Sequence, residues 1–250
     1  MTEARVEYLK GWDGARLALH RMGEGRQVLL FHGLFSSAEV NWIKYGTAAR
    51  LAAAGFEVLM PDLRAHGLSD APHAPDAYPD DVLVRDALGI VEQLGLADYD
   101  LGGFSLGSRT SVRAVLEGLT PRRLILGGMG LEGLAGWARR SAFFIDAIDR
   151  YDSIERGDPA HFAKIFMKSQ NVDRVATRLL LQSVDDTPPE ALAGVAMPTL
   201  VVCGAQDHDN GSATALAAAL PNATYVEVPG THMSSVTQRQ LGEAMAAFLA

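Results

Sequence analysis

Apolar and polar residues change rhythm along this chain, and the changes outline its architecture. Near the start, Arg5 to Lys10 and Arg16 to Met22 mix polar and apolar positions on either side of Gly11-Trp12-Asp13-Gly14. An Asp-Gly pair between two such runs is a strong short-range signal for a β-hairpin. Beyond it, Val28 to Phe31, Phe56 to Met60, Tyr99 to Phe104, Leu124 to Leu126, Thr199 to Val202 and Thr224 to Val228 are short, mostly apolar runs, the pattern of buried strands. Helical patterns separate most of them. In Asp80 to Leu94, Val84, Ala87, Leu88 and Val91 share one face, and Asp80 or Asp81 is placed to cap the helix. A last helix carries Leu241, Met245, Phe248 and Leu249. This alternation predicts an α/β fold: a mainly parallel eight-stranded sheet with helices on both faces and ligands gathered at the carboxyl ends of the strands.

Between Gly130 and about Ala193 the strand rhythm disappears. Helix-like segments rich in Phe143, Phe144, Ile145, Ile148, Phe162, Ile165 and Phe166 take its place, until Met197-Pro198 restarts the sheet. We therefore expect a core of residues 1–130 and 194–250 and an inserted helical cap at 131–193. Cap phenylalanines can serve as core or as substrate-facing wall.

Composition narrows the function classes. At 250 residues and 48% hydrophobic content, the chain can bury a large core in one domain. A net charge of −8 without a long Lys/Arg run argues against nucleic-acid and anionic-membrane partners, which need concentrated positive charge. Met1-Thr2-Glu3-Ala4-Arg5 leads straight into the first strand pattern without a charged-then-apolar leader, and no apolar run approaches a membrane span. With one cysteine, Cys203, read as a buried strand residue, the expectation is a cytoplasmic protein. No histidine pair has convincing metal-ligand spacing, so neither metal nor cofactor is expected.

The chemistry points to Gly103-Phe104-Ser105-Leu106-Gly107, where a strand pattern turns into a helix. A turn this tight pushes the serine outward and requires small residues two before and two after it. A serine hydroxyl needs a base, and the base needs an acceptor to fix its tautomer. The carboxyl ends of the two last strands supply both: Gly204-Ala205-Gln206-Asp207 and Pro229-Gly230-Thr231-His232. Asp209 is a rival acid two residues on.

The order serine, aspartate, histidine, together with His32-Gly33-Leu34-Phe35 and Asp62-Leu63-Arg64-Ala65-His66-Gly67-Leu68-Ser69-Asp70, resembles the α/β-hydrolase superfamily over nearly the whole chain outside the cap. The resemblance implies Ser105 as nucleophile, His232 as general base and acid, and Asp207 as its orienting partner. It implies an oxyanion hole from the backbone N–H of Leu106 and of Leu34, with Phe35 as the alternative second donor. His32 and His66 would hold loops together, and Asp62 and Asp70 would stabilise them. The chain departs from the family's habits at Ser108-Arg109, where another tiny residue is frequent, and at Ala65, where glycine is common.

The implied activity is cofactor-independent hydrolysis of a small, largely apolar carboxylic ester or lactone. Serine at 105 weighs against haloalkane dehalogenase and epoxide hydrolase chemistry, whose resembling members place a carboxylate there. Rival readings are a C–C bond hydrolase of a diketone-like substrate, a cofactor-free perhydrolase, and a non-enzymatic small-ligand receptor. Gly128-Met129-Gly130-Leu131-Glu132-Gly133 matches a dinucleotide-binding pattern, but it follows a late strand, and that fingerprint belongs to the first βα unit of its fold. Arg156-Gly157-Asp158 is read as a coincidence of common residues.

Overall fold

The computed structural model describes residues 3–250; Met1 and Thr2, which open the run read above for a leader, lie outside the described residues. Among the described residues eight strands form one sheet: β1 (Arg5–Lys10), β2 (Arg16–Met22), β3 (Arg26–Phe31), β4 (Phe56–Pro61), β5 (Tyr99–Phe104), β6 (Leu124–Gly127), β7 (Thr199–Gly204) and β8 (Ala223–Val228). Their order across the sheet is β1-β2-β4-β3-β5-β6-β7-β8. β2 pairs antiparallel with β1 and β4, and all other pairs are parallel. The carboxyl ends of β3 to β8 therefore open on one edge.

The helices are α1 (Thr47–Ala53), α2 (Val82–Leu94), α3 (Leu106–Leu116), α4 (Leu131–Ala135), α5 (Trp137–Asp149), α6 (His161–Ser169), α7 (Arg174–Ser183), α8 (Ala213–Ala219), α9 (His232–Ser235) and α10 (Arg239–Leu249). Successive strand residues face opposite ways, so β3 feeds both layers. Leu29 and Phe31 pack with α2 and α3, while Val28 and Leu30 pack with α1 and α10. Every residue of β5, β6 and β7 is buried. No helix is long and apolar enough to cross a membrane among the described residues.

Two local expectations changed. β8 pairs only with β7, so it is an edge strand with exposed positions such as Val226 rather than a buried one. Asp81 occupies the cap position of α2 with φ 52° and makes no side-chain cap; Arg113 of α3 takes its carboxylate instead, with Nε to Oδ2 at 2.8 Å.

Between β6 and β7 the described chain forms helices α4 to α7 and no strand. Arg109, fully buried on α3, holds both ends of this insertion. Its guanidinium donates to the carbonyls of Gly133 and Leu134 at the entry and of Asp185 at the exit. Its closest carboxylate, on Asp186, is 3.6 Å away, and burial pushes its pKa down to about 10. Arg109, in the Ser108-Arg109 pair that follows the elbow, is thus a tether between α3 and the insertion.

The loop after β4 is fixed by a second buried arginine. Arg64 donates to Asp86 of α2 and Asp13 of the hairpin turn, each contact at 2.8 Å. Burial opposes the charge on Arg64, but these bonds outweigh it and hold its pKa above the ordinary value. Burial also pushes Asp86 upward, against the pull of Arg64. Removing one partner leaves a charge stranded in the interior, so Arg64→Met should cost about 3–5 kcal/mol in urea unfolding. A loss under about 1 kcal/mol would show that the pair does not hold the loop.

Candidate active site

Ser105 follows β5 directly, with φ 52° and ψ −112°. A non-glycine residue at positive φ is strained, and the surroundings here leave no relaxed alternative. A Cβ on Gly103 would lie 2.2 Å from the Gly107 carbonyl carbon, and one on Gly107 would lie 2.0 Å from the Phe31 carbonyl oxygen. Ser105 N–H donates to Gly127 O at 2.8 Å, and Ser108 Oγ lies 2.8 Å from the carbonyls of both Gly103 and Gly127. The elbow is locked between β5, β6 and α3, and its serine is partly exposed at the open sheet edge.

Asp207 follows β7 and His232 starts α9 after β8. His232 Nδ1 meets Asp207 Oδ2 at 2.9 Å with both side chains buried, and Asp209 instead donates its backbone N–H to the other carboxylate oxygen at 3.2 Å. An acceptor on Nδ1 directs the Nε2 lone pair outward, as a base requires. The His232 ring also packs on Phe104, the residue before the serine, with centroids 5.1 Å apart. Among the described residues, the side chain within hydrogen-bonding reach of Ser105 Oγ is Asn210, at 3.5 Å, rather than His232. Nucleophile–base contacts are commonly loose before substrate binds. His208 is exposed.

The loop after β3 faces the elbow. Its backbone donors have separate fates: Gly33 N–H goes to Asn41 Oδ1 at 3.0 Å and Phe35 N–H goes to His66 Nε2 at 3.0 Å. Phe35 is therefore engaged elsewhere, and Leu34 is the donor position left between them. Phe35 has φ 59°, and its ring meets Phe144 of α5 edge-on at 5.4 Å, so the insertion closes over this loop. From the same helix, Arg140 donates to the Asp209 carbonyl and lies over Phe144 at 5.6 Å. Burial lowers the pKa of Arg140 despite the nearby Asp209 and Asp207.

His32 and His66 are clamps. His32 Nε2 accepts from Leu63 N–H at 2.9 Å and Nδ1 donates to Gly33 O at 2.8 Å. His66 Nδ1 donates to Arg64 O at 2.9 Å while Nε2 accepts from Phe35 N–H. Both need the neutral ring. Burial, followed by the neighbouring His32, pushes His66 down to about 3, and burial lowers His32 despite Asp62. Asp62 gathers the same loops, accepting from Ala38 N–H, Leu68 N–H and His20. Asp70 accepts from Arg16 N–H at 2.8 Å.

Sequence reasoning missed two residues. Asn41 is buried, with Nδ2 lacking a hydrogen-bond partner, and Asn210 is buried against the elbow. Only the position of Asn210, three residues after Asp207, hinted at a role. The glycines of the dinucleotide-like run have a packing purpose: a Cβ on Gly130 would lie 2.5 Å from Asn210 O, and one on Gly133 would lie 2.7 Å from Asn210 Cβ. Arg156-Gly157-Asp158 is absorbed by an Asp158–Arg150 ion pair. Burial pushes the Cys203 thiol up to about 12, so it stays protonated. Among the described residues no group of three or more His, Cys, Asp or Glu could hold a metal ion.

A sequence profile described as alpha/beta hydrolase fold matches residues 27–124. Bifunctional epoxide hydrolase 2 of Sus scrofa is 36% identical over 118 residues, 43% of this chain and 21% of that protein, so the chain spans about a fifth of that relative's length. A hydrolase from Pseudomonas aeruginosa superposes with TM-score 0.77 at 24% identity over 98% of both chains. The enol-lactonase from Burkholderia xenovorans does so with TM-score 0.74 at 22% identity, over 97% of this chain and 99% of that one. At these identities the likeness to the solved structures is one of fold.

A neutral buried histidine takes up its proton only on unfolding, so its contribution to stability is complete above the unfolded value near 6.5 and is lost as pH falls from there toward about 3 for His66. Urea-unfolding free energy should therefore fall below pH 6.5, by up to about 1.4 kcal/mol per pH unit for each of His32 and His66. His66→Gln should remove about one group's share of that slope; identical slopes in the two proteins would contradict the clamp.

Proposed function

We propose that this chain, whose residues 27–124 match a profile described as alpha/beta hydrolase fold, is a serine hydrolase that cleaves small, largely apolar carboxylic esters or lactones through an acyl-enzyme on Ser105. The observation that carries this reading is the strained Ser105 backbone at the same sheet edge as the His232–Asp207 pair. Ser105 Oγ attacks the acyl carbonyl and passes its proton to His232 Nε2. Asp207 holds the ring and stabilises the imidazolium that forms. The carbonyl oxygen, now an oxyanion, is received by the N–H groups of Leu34 and Leu106, each such donor being worth about 3–4 kcal/mol of barrier. His232 then protonates the leaving alcohol, and in the second half-reaction it takes a proton from water, which releases the acid and restores Ser105.

The engagement of Phe35 N–H by His66 supports Leu34 as the second donor. A serine rather than a carboxylate at position 105 supports acyl over alkyl-ester chemistry, and so separates the proposal from the reaction named for the porcine relative. Helices α4 to α7 act as a cap in this reading, with Phe35 and Phe144 as apolar wall beside the reacting carbonyl.

A fluorophosphonate probe should label Ser105, read by mass spectrometry of the digested protein. Ser105→Ala and His232→Ala should each lower kcat on short p-nitrophenyl esters by about three to six orders of magnitude while leaving Tm within a few degrees, as triad members act as a unit. Near-normal turnover in either variant, or no label on Ser105, would refute the assignment.

A further inference from the structure

The loop that carries the triad acid also sends a carboxamide against the nucleophile. Asn210, buried at 5% exposure, donates Nδ2 to the Gly128 carbonyl at 2.7 Å. Only an N–H can face a carbonyl, so this bond fixes which end of the amide is nitrogen. The second Nδ2 proton is free of Gly128, and the same nitrogen lies 3.5 Å from Ser105 Oγ. The backbone that carries it is closely packed. Gly130 and Gly133, where a Cβ would collide with Asn210, let α4 press on it, and Gly133 N–H donates to Asn210 O at 2.8 Å. Arg140 of α5 pins the preceding carbonyl. A buried carboxamide donor thus stands beside the reacting oxygen.

We infer that Asn210 is a specificity-determining residue that selects acyl groups bearing a hydroxyl or carbonyl oxygen on the carbon next to the scissile carbonyl. This rests on the serine hydrolase reading. An acyl group on Ser105 places its α-oxygen three bonds from Oγ, within the shell that Nδ2 already occupies relative to Oγ. A buried donor aimed there bonds the α-oxygen of a matching substrate and is left unpaired by an alkyl one, and sites built this way reject the analogue that lacks the polar group far more strongly than apolar pockets reject an extra methyl. The carboxamide is uncharged, so it selects a neutral oxygen without demanding an acid.

The test compares phenyl 2-hydroxypropanoate with phenyl 2-methylpropanoate, which share a leaving group and nearly share a shape. The ratio of their kcat/KM values in the wild-type protein should exceed the ratio of their hydroxide-catalysed rates in solution by at least tenfold. In Asn210→Leu and in Asn210→Ala that excess should fall by at least tenfold. An enzymatic ratio equal to the solution ratio, or an excess that survives both substitutions, overturns the inference, as does turnover of neither ester by protein that the fluorophosphonate labels. If the variants do not fold, the wild-type ratio alone decides. Absence of the label on wild-type Ser105 defeats the underlying hydrolase reading instead, so the two failures are distinguishable.

Discussion

A serine held at φ 52° is the constraint around which the rest of the molecule is arranged. The turn survives because Gly103 and Gly107 let β5, α3 and the end of β3 approach within distances no Cβ would allow, and because β6 and Ser108 satisfy the backbone groups that the turn exposes. Such strain costs on the order of 1–3 kcal/mol and persists only where the surroundings over-determine it. Here it has a direct result: the hydroxyl leaves the sheet where β7 and β8 deliver Asp207 and His232, and where α3 begins with N–H groups that have no partner in their own helix.

The opposite wall depends on histidines kept neutral by burial. Arg64 anchors the loop after β4 to the hairpin and to α2; that loop carries His66, and His66 accepts from Phe35 N–H and so sets the course of the chain beside Leu34. The path from the buried ion pair to the Phe35 N–H runs through hydrogen bonds at 2.8–3.0 Å. The insertion is joined to the same machinery by arginines. Arg109 ties its two ends to the helix that starts after Ser105, and Arg140 ties α5 to the loop that carries Asp207.

Much of this was legible in the residue order. Strand ends followed by Ser105, Asp207 and His232 announce themselves because tight turns demand glycines at set offsets, and burial on both faces leaves the apolar run Leu200 to Cys203 in β7. What escaped the sequence depends on partners distant in the chain. Asp81 looked like a helix cap until Arg113 claimed its carboxylate. β8 looked like a buried strand, yet its apolar content does not reveal that it has a neighbour on one side only. Leu34 and Phe35 could not be separated, since the choice turns on a histidine 31 residues away. Asn210 is an ordinary loop residue by type, and its meaning comes from Gly128 and Ser105, 82 and 105 positions earlier.

The central claim is that attack, proton transfer and oxyanion stabilisation converge on one point above β5. A crystal structure of the protein after reaction with a small phosphonate ester tests it most directly. The account predicts phosphorus bonded to Ser105 Oγ, its oxygen received by the N–H groups of Leu34 and Leu106, and His232 Nε2 within hydrogen-bonding distance of the adduct while Nδ1 stays on Asp207. A phosphonyl oxygen turned away from both amides, or an adduct on another residue, would contradict it.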